Sequence, residues 1–163
     1  MLDPSTPPEG KPRRQYSKPG DPPSPLEERG ASLGITFRRG RTWGSNSHLA
    51  LEASVFADGH PQVDAFHRRL FKSYFDDLDE IGSVDTLVRL AEEVGLPAIE
   101  LRQALESGTF RKQVDDGINW SRSIGVTAVP TFIFDDKTGL VGAQPLEVFE
   151  QVLQELGKVP RSS

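Results

Sequence analysis

Proline constrains this chain more sharply than any other residue. Eight of its thirteen prolines fall between Met1 and Pro25, together with Gly10, Gly20 and little that is apolar. Each proline fixes φ and removes a backbone donor, so this stretch reads as neither helix interior nor packed strand. With so little to bury, it is expected to be a loop, a linker or a disordered arm over residues 1–25. The other five, Pro61, Pro97, Pro130, Pro145 and Pro160, stand where an apolar pattern begins or ends. The folding load therefore rests on residues 26–157, with 158–163 a tail, and 163 residues suffice for one domain with a sizeable core.

Leu26 to Gly34 is compatible with a short helix, followed by Ile35 to Phe37 and a Gly/Arg-rich turn from Arg38 to Gly44. Ser45 or Asn46 can cap a helix carrying Leu49, Ala53, Phe56 and Ala57, with Gly59 placed to end it in a left-handed conformation. Pro61 suits the first position of the next helix, where Val63, Phe66, Leu70 and Tyr74 form a stripe that Phe71 and Phe75 widen. Ser83 opens a helix with Val84, Leu87, Val88, Ala91 and Val94, and Gly95 closes it. Pro97 starts another with Leu101 and Leu105, and Thr109 can cap one running through Phe110, Val114 and Ile118 to Ile124.

Alone, that run would suggest an all-helical bundle. The last quarter contradicts it. Thr131 to Phe134 is β-branched and aromatic, Asp135 to Thr138 is turn-like, and Gly139 to Val141 can return as a second strand, which predicts a β-hairpin. Gln144-Pro145 then starts an amphipathic helix with Val148, Phe149, Val152, Leu153 and Leu156 on one face, Gly157 past its end and Pro160 beyond.

Composition excludes several functions. The formal net charge is -5, with Lys and Arg scattered among carboxylates, which argues against a nucleic-acid surface. No apolar window approaches the roughly 20 residues that span a bilayer, and the N-terminus lacks a signal peptide's apolar core, so no membrane partner and a cytoplasmic location are expected. With no cysteine there is no disulfide, thiolate nucleophile, CxxC pair or Cys-ligated zinc within the chain.

Several clusters invite a site reading and a plainer one. His60, Asp64 and His67 are spaced for a metal, yet Pro61 puts His60 outside the regular turns, which favours a solvated or capping role. Asp76, Asp77, Asp79 and Glu80 lack the alternating ligands and central glycine of a calcium loop and read as a solvated helix end. Arg38, Arg39 and Arg41 could grip a phosphate or a carboxylate such as glutathione's, or be a basic surface loop. Trp43 and Trp120 could line an apolar pocket, although aromatics at helical spacing are more often core.

Gly125-Val126-Thr127-Ala128-Val129-Pro130-Thr131-Phe132, followed by Gly142-Ala143-Gln144-Pro145, resembles the cis-proline loop, hairpin and last helix of DsbA-like thioredoxin-fold oxidoreductases, particularly the FrnE type. Leu2-Asp3-Pro4 with Pro7, Pro8, Glu9 and Gly10 resembles the connection leaving that family's second strand, and Asn46-Ser47 resembles the start of its inserted helical region. The resemblance runs in the family's order from Met1 to about Gly157. It implies an α/β, thioredoxin-like fold with a helical insertion and its N-terminal βαβ missing. What is left is mostly α, with a helical region over about 26–125 and a C-terminal hairpin and final helix over about 126–157.

The resemblance also implies a substrate-binding surface at Val129, Pro130 and Thr131, no catalytic residue in this chain, and a thiol- or disulfide-bearing protein or peptide, or glutathione, as ligand. A cis bond at Pro130 would turn the chain sharply and present the Val129 backbone to an extended ligand. In trans, Pro130 would merely begin an edge strand. The leading expectation is a thiol-disulfide oxidoreductase family member that is redox-inactive alone, with a strand, a CxxC-bearing helix and a strand ahead of Met1. Alternatives are a fragment similar to the 2-hydroxychromene-2-carboxylate isomerases and kappa-class glutathione transferases, whose serine would lie in that same absent segment, and a non-enzymatic interaction module. Low stability and self-association through an exposed sheet edge are expected.

Overall fold

The computed structural model describes residues 6–13, 20–136 and 138–158. Leu2-Asp3-Pro4 and Pro160 lie outside them. The chain forms two compact units that divide between Gly117 and Ile118.

In the first unit the proline-rich segment is more ordered than its composition suggests. Strand β1, Lys11–Pro12, pairs antiparallel with β2, Trp43–Gly44. The ties use the carbonyls of this segment, which proline does not remove. The Trp43 indole N–H donates to Glu9 O at 3.2 Å and Asn46 Nδ2 donates to Thr6 O at 2.9 Å. Gly10 has φ +86°, and a Cβ there would lie 2.4 Å from the indole nitrogen, so only glycine fits beneath Trp43. Residues 6–13 are thus no free arm.

Helix α1, Pro25–Ser32, starts from a capping box in which the Ser24 hydroxyl accepts from Glu27 N and the Glu27 carboxylate accepts from Ser24 N. Four helices then build the core: α2 (His48–Ala57), α3 (Val63–Lys72), α4 (Val84–Glu93) and α5 (Ala98–Ser107). Ala50, Ala53 and Ala57 are buried on α2, and their small side chains admit Phe66, Leu87, Leu90 and Leu101 from its neighbours. Each of those larger side chains contributes about 1.5–3 kcal/mol by leaving water. Helix α6, Arg111–Ser123, buries Val114.

The helix boundaries correct three expectations. Gly59 does not adopt a left-handed φ: Asp58 stays right-handed at φ −56°, and the chain tightens through turns in which His60 N donates to Ala57 O. Pro61 lies within that turn, and α3 begins at Val63 after Gln62. Phe71 is 64% exposed, because it follows Leu70 and is rotated about 100° off the buried stripe. It stacks on Phe75 at 6.3 Å, whose ring meets Phe37 edge-on at 5.1 Å. After α3 the chain makes a π-helical turn, Ser73–Asp77, which ends at Leu78 in the left-handed region. Gly95 and Gly108 do take left-handed conformations after α4 and α5.

The second unit holds the end of α6, strands β3 (Thr131–Phe134) and β4 (Thr138–Val141), and helix α7 (Leu146–Glu155). The strands pair antiparallel from Thr131 against Val141 to Phe134 against Thr138, so β4 begins one residue earlier than Gly139. Asp135 and Asp136, at φ 47° and 55°, turn the hairpin, as Asp tolerates. Phe132 and Phe134 pack edge-on against Phe149 of α7 at 4.9 and 6.3 Å. Val152 is buried, while Val129, Ile133, Val141 and Leu146 are exposed.

The described residues are mostly helical with small strand content, within the α/β class expected. No helix among the described residues is long and apolar enough to cross a membrane.

Candidate functional site

The loop between α6 and β3 is built from hydrogen bonds to main-chain atoms. Gly125, at φ +79°, ends α6 with Gly125 N donating to Arg122 O and Val126 N to Ser121 O, a left-handed helix terminus. The Val129–Pro130 peptide is cis, as expected from the sequence. Thr131 Oγ1 donates to Ala128 O at 2.7 Å, bridging the proline. From the far side of the hairpin, Gly142 N donates to Pro130 O at 2.8 Å, and Gln144 Nε2 donates to Val141 O at 2.8 Å. The two sequence segments that carried the resemblance, 125–132 and 142–145, are therefore held together.

Val129 is the outward point of this loop. The residue is 66% exposed, and its N–H and C=O take part in none of these bonds. An extended chain could pair with that backbone in the manner of an added strand. From Gly125 to Phe132 no side chain ionises in the ordinary pH range and none carries sulfur, so the loop can bind but has no nucleophile for thiol chemistry.

The structure disperses the other clusters. No group of three or more potential metal ligands converges among the described residues. His60 lies against the Phe56 ring at 4.7 Å, and His67 Nε2 is buried without a hydrogen-bond partner. Asp76, Asp77 and Asp79 are not a solvated helix end. Lys72 bonds both Asp76 and Asp77, Arg38 bonds Asp76, Arg69 bonds Asp77 and Glu93, and Arg89 bonds Asp79 and Glu93. The Lys72 ammonium, with Arg38 and Arg69, holds the Asp76 and Asp77 carboxyls below the usual carboxylate range.

The arginines read as a ligand grip or a basic surface loop are engaged within the protein. Arg39 meets both Glu27 oxygens, at 2.5 and 2.7 Å, and the carbonyls of Asp21 and Pro22. Arg41 donates to Tyr74 O and Asp79 O and lies 3.9 Å from the centre of the Tyr74 ring; its burial depresses its own pKa. Trp43 lies over Gly10, and Trp120 is exposed.

Sequence reasoning passed over one polar cluster. Glu52 is fully buried on α2 with His48 one turn before it, and Asp115 of α6 reaches the same imidazole. The four-residue spacing of His48 and Glu52 was its only local signal.

The family model of the DSBA-like thioredoxin domain matches residues 6–154. The uncharacterized protein YwbO of Bacillus subtilis (strain 168) is 34% identical over 108 residues, 66% of this chain and 54% of that protein. The crystal structure of a probable DsbA oxidoreductase from Streptomyces coelicolor matches with a TM-score of 0.72 at 27% identity, over 85% of this chain and 60% of that one. The chain thus spans little more than half the length of either relative. With the family model matching residues 6–154 and 85% of the chain matching a solved relative, this chain belongs to the DsbA-like thioredoxin domain family.

Proposed function

We propose that these residues are the substrate-docking portion of a thiol-disulfide oxidoreductase of the FrnE type, working in the cytoplasm and inactive in disulfide exchange by itself. The free backbone of Val129, flanked by Pro130 and Thr131 and braced by Gly142, carries this reading. Its ligand is an extended thiol- or disulfide-bearing peptide, with glutathione as the small-molecule counterpart. Exchange requires a thiolate that attacks a disulfide sulfur, forming one S–S bond as another breaks and releasing a second thiolate. No cysteine in these 163 residues can play either part, so the reacting dithiol comes from elsewhere.

Two measurements test this. The purified chain should reduce insulin no faster than buffer, and turnover by the cysteine-free protein would refute the reading. In a 15N-labelled sample, an extended cysteine-bearing peptide or glutathione should shift the amides of Ala128, Val129, Thr131 and Phe132, which flank Pro130. Shifts confined to other residues, or none at millimolar ligand, would remove Val129, Pro130 and Thr131 as the docking surface.

A further inference from the structure

Helix α3 is apolar on two sides. Phe66 and Leu70 face the core, and Phe71 is 64% exposed on the side away from it. Asp64 and Arg68 are exposed too, and with Phe71 they share a strip about 60° wide on the helix. Phe71 does not stand alone. Its ring stacks on Phe75 with the planes 9° apart, and Phe75 meets Phe37 edge-on. Phe37 in turn lies so close to Gly30 of α1 that a Cβ there would come within 2.6 Å of the ring. Leu33 and Ile35, in the turn between α1 and Phe37, are exposed as well. An apolar stripe therefore runs across the surface from α3 to the end of α1, and a patch of that extent marks an interaction site.

The charges beside the stripe fall into two sets. Arg38 and Lys72 are bound to Asp76 or Asp77, and Arg69 to Asp77 and Glu93. Asp64 and Arg68 make no ion pair among the described residues, with each other or with any neighbour. Their order is self-complementary. Two copies of α3 laid antiparallel about a two-fold axis midway between Asp64 and Arg68 would bring each Asp64 against the partner's Arg68. The same operation sets Phe71, three residues beyond Arg68, against the partner's Pro61, three residues before Asp64 and likewise exposed.

We propose that this face of α3 is an interface between two copies of the chain, anchored by Phe71 and held in register by two reciprocal Asp64–Arg68 pairs. A foreign partner would have to bring both an apolar surface and charges in the matching order, and a second copy already carries both. A stable dimer takes about 800 Å² from each partner, more than one ring supplies. The continuation of the stripe through Phe75, Phe37 and Ile35 extends the contact on both sides of the axis.

Sedimentation of the 163-residue chain across a concentration series tests this. Asp64→Arg and Arg68→Asp change exposed positions, so both variants should keep their helix content by circular dichroism. Each sets like charges together at both pairs and should raise the dimer dissociation constant about tenfold. The double exchange, Asp64→Arg with Arg68→Asp, should restore the wild-type value. An equimolar mixture of the two single variants should also dimerise, since one chain then carries two cations on the strip and the other two anions. Phe71→Ala should weaken every one of these dimers. A chain that stays monomeric at millimolar concentration would overturn the proposal. So would association that ignores the charge reversals and Phe71→Ala, which would assign it to the hairpin of the second unit, or a mixture that dimerises no better than its components.

Discussion

Phe66 and Phe71 stand five residues apart on one helix and should answer truncation very differently. Phe66 is fully buried, whereas Phe71 is 64% exposed. Phe66→Ala removes a ring from a closed core and should cost about 3–5 kcal/mol in transfer and cavity terms. Phe71 has only about a third of its surface covered, worth about 0.5–1 kcal/mol, and its stack on Phe75 adds about 1 kcal/mol at most. With a urea dependence of about 1.5 kcal/mol per molar, the first change should lower the unfolding midpoint by about 2–3 M and the second by about 1 M. Urea titration followed by far-UV circular dichroism measures both, and Phe66→Leu keeps the comparison open should the alanine variant not fold. Equal losses at the two positions would refute the placement of α3's buried stripe.

Three other outcomes are expected. Gly10→Ala should loosen the β1–β2 pairing by at least about 1–2 kcal/mol, the cost of a left-handed backbone for a residue with a Cβ. In a Trp120→Phe background, Trp43 emission should then shift to the red while helix content is kept; an unchanged spectrum would contradict the indole's placement over Gly10. Asp76, Asp77 and Glu93 have depressed folded-state pKa values from Lys72 and Arg69, so they stabilise the fold above the unfolded-chain value of about 4 and lose that contribution as pH falls through the folded values. Stability should therefore drop below about pH 5, and less steeply in high salt; a flat profile down to pH 2 would contradict the ion-pair network. Exposed Val129, Ile133 and Val141 should make the chain self-associate at high concentration, which sedimentation can exclude.

What the sequence made legible was set by local spacing. Leu87, Leu101 and Leu105 repeat at helical intervals, and Thr131 to Phe134 followed by a turn reads as a strand in any context. The cis-proline loop was legible because Pro130 and Gly142 each sit in a short, characteristic run. Contacts between distant residues were not. Trp43 reaches Glu9 across 34 residues, Arg38 reaches Asp76 across 38, and His48 reaches Asp115 across 67. No periodicity announces such pairs. Composition misled in the same way: prolines at 7, 8 and 12 argue against a ladder, yet Trp43 and Asn46 bind the carbonyls of Glu9 and Thr6 between and beside them.

The two units reach order by different means, and the cis-proline loop belongs to the less buried one. In the first unit Phe66, Leu87, Leu90 and Leu101 are wholly enclosed, so its geometry is held by packing. In the second, Val152 is the one buried apolar residue among those described, and the loop is held by the bonds from Gly142 N, Thr131 Oγ1 and Gln144 Nε2. Each such bond contributes about 0.5–1.5 kcal/mol, against several for an enclosed aromatic ring. The Val129 backbone is therefore positioned by polar ties that a ligand's own hydrogen bonds can extend, and the apolar side chains around it stay exposed for contact. An added strand would satisfy both at once: main-chain bonds give it affinity, and the exposed faces of Ile133 and Val141 give it surface to bury.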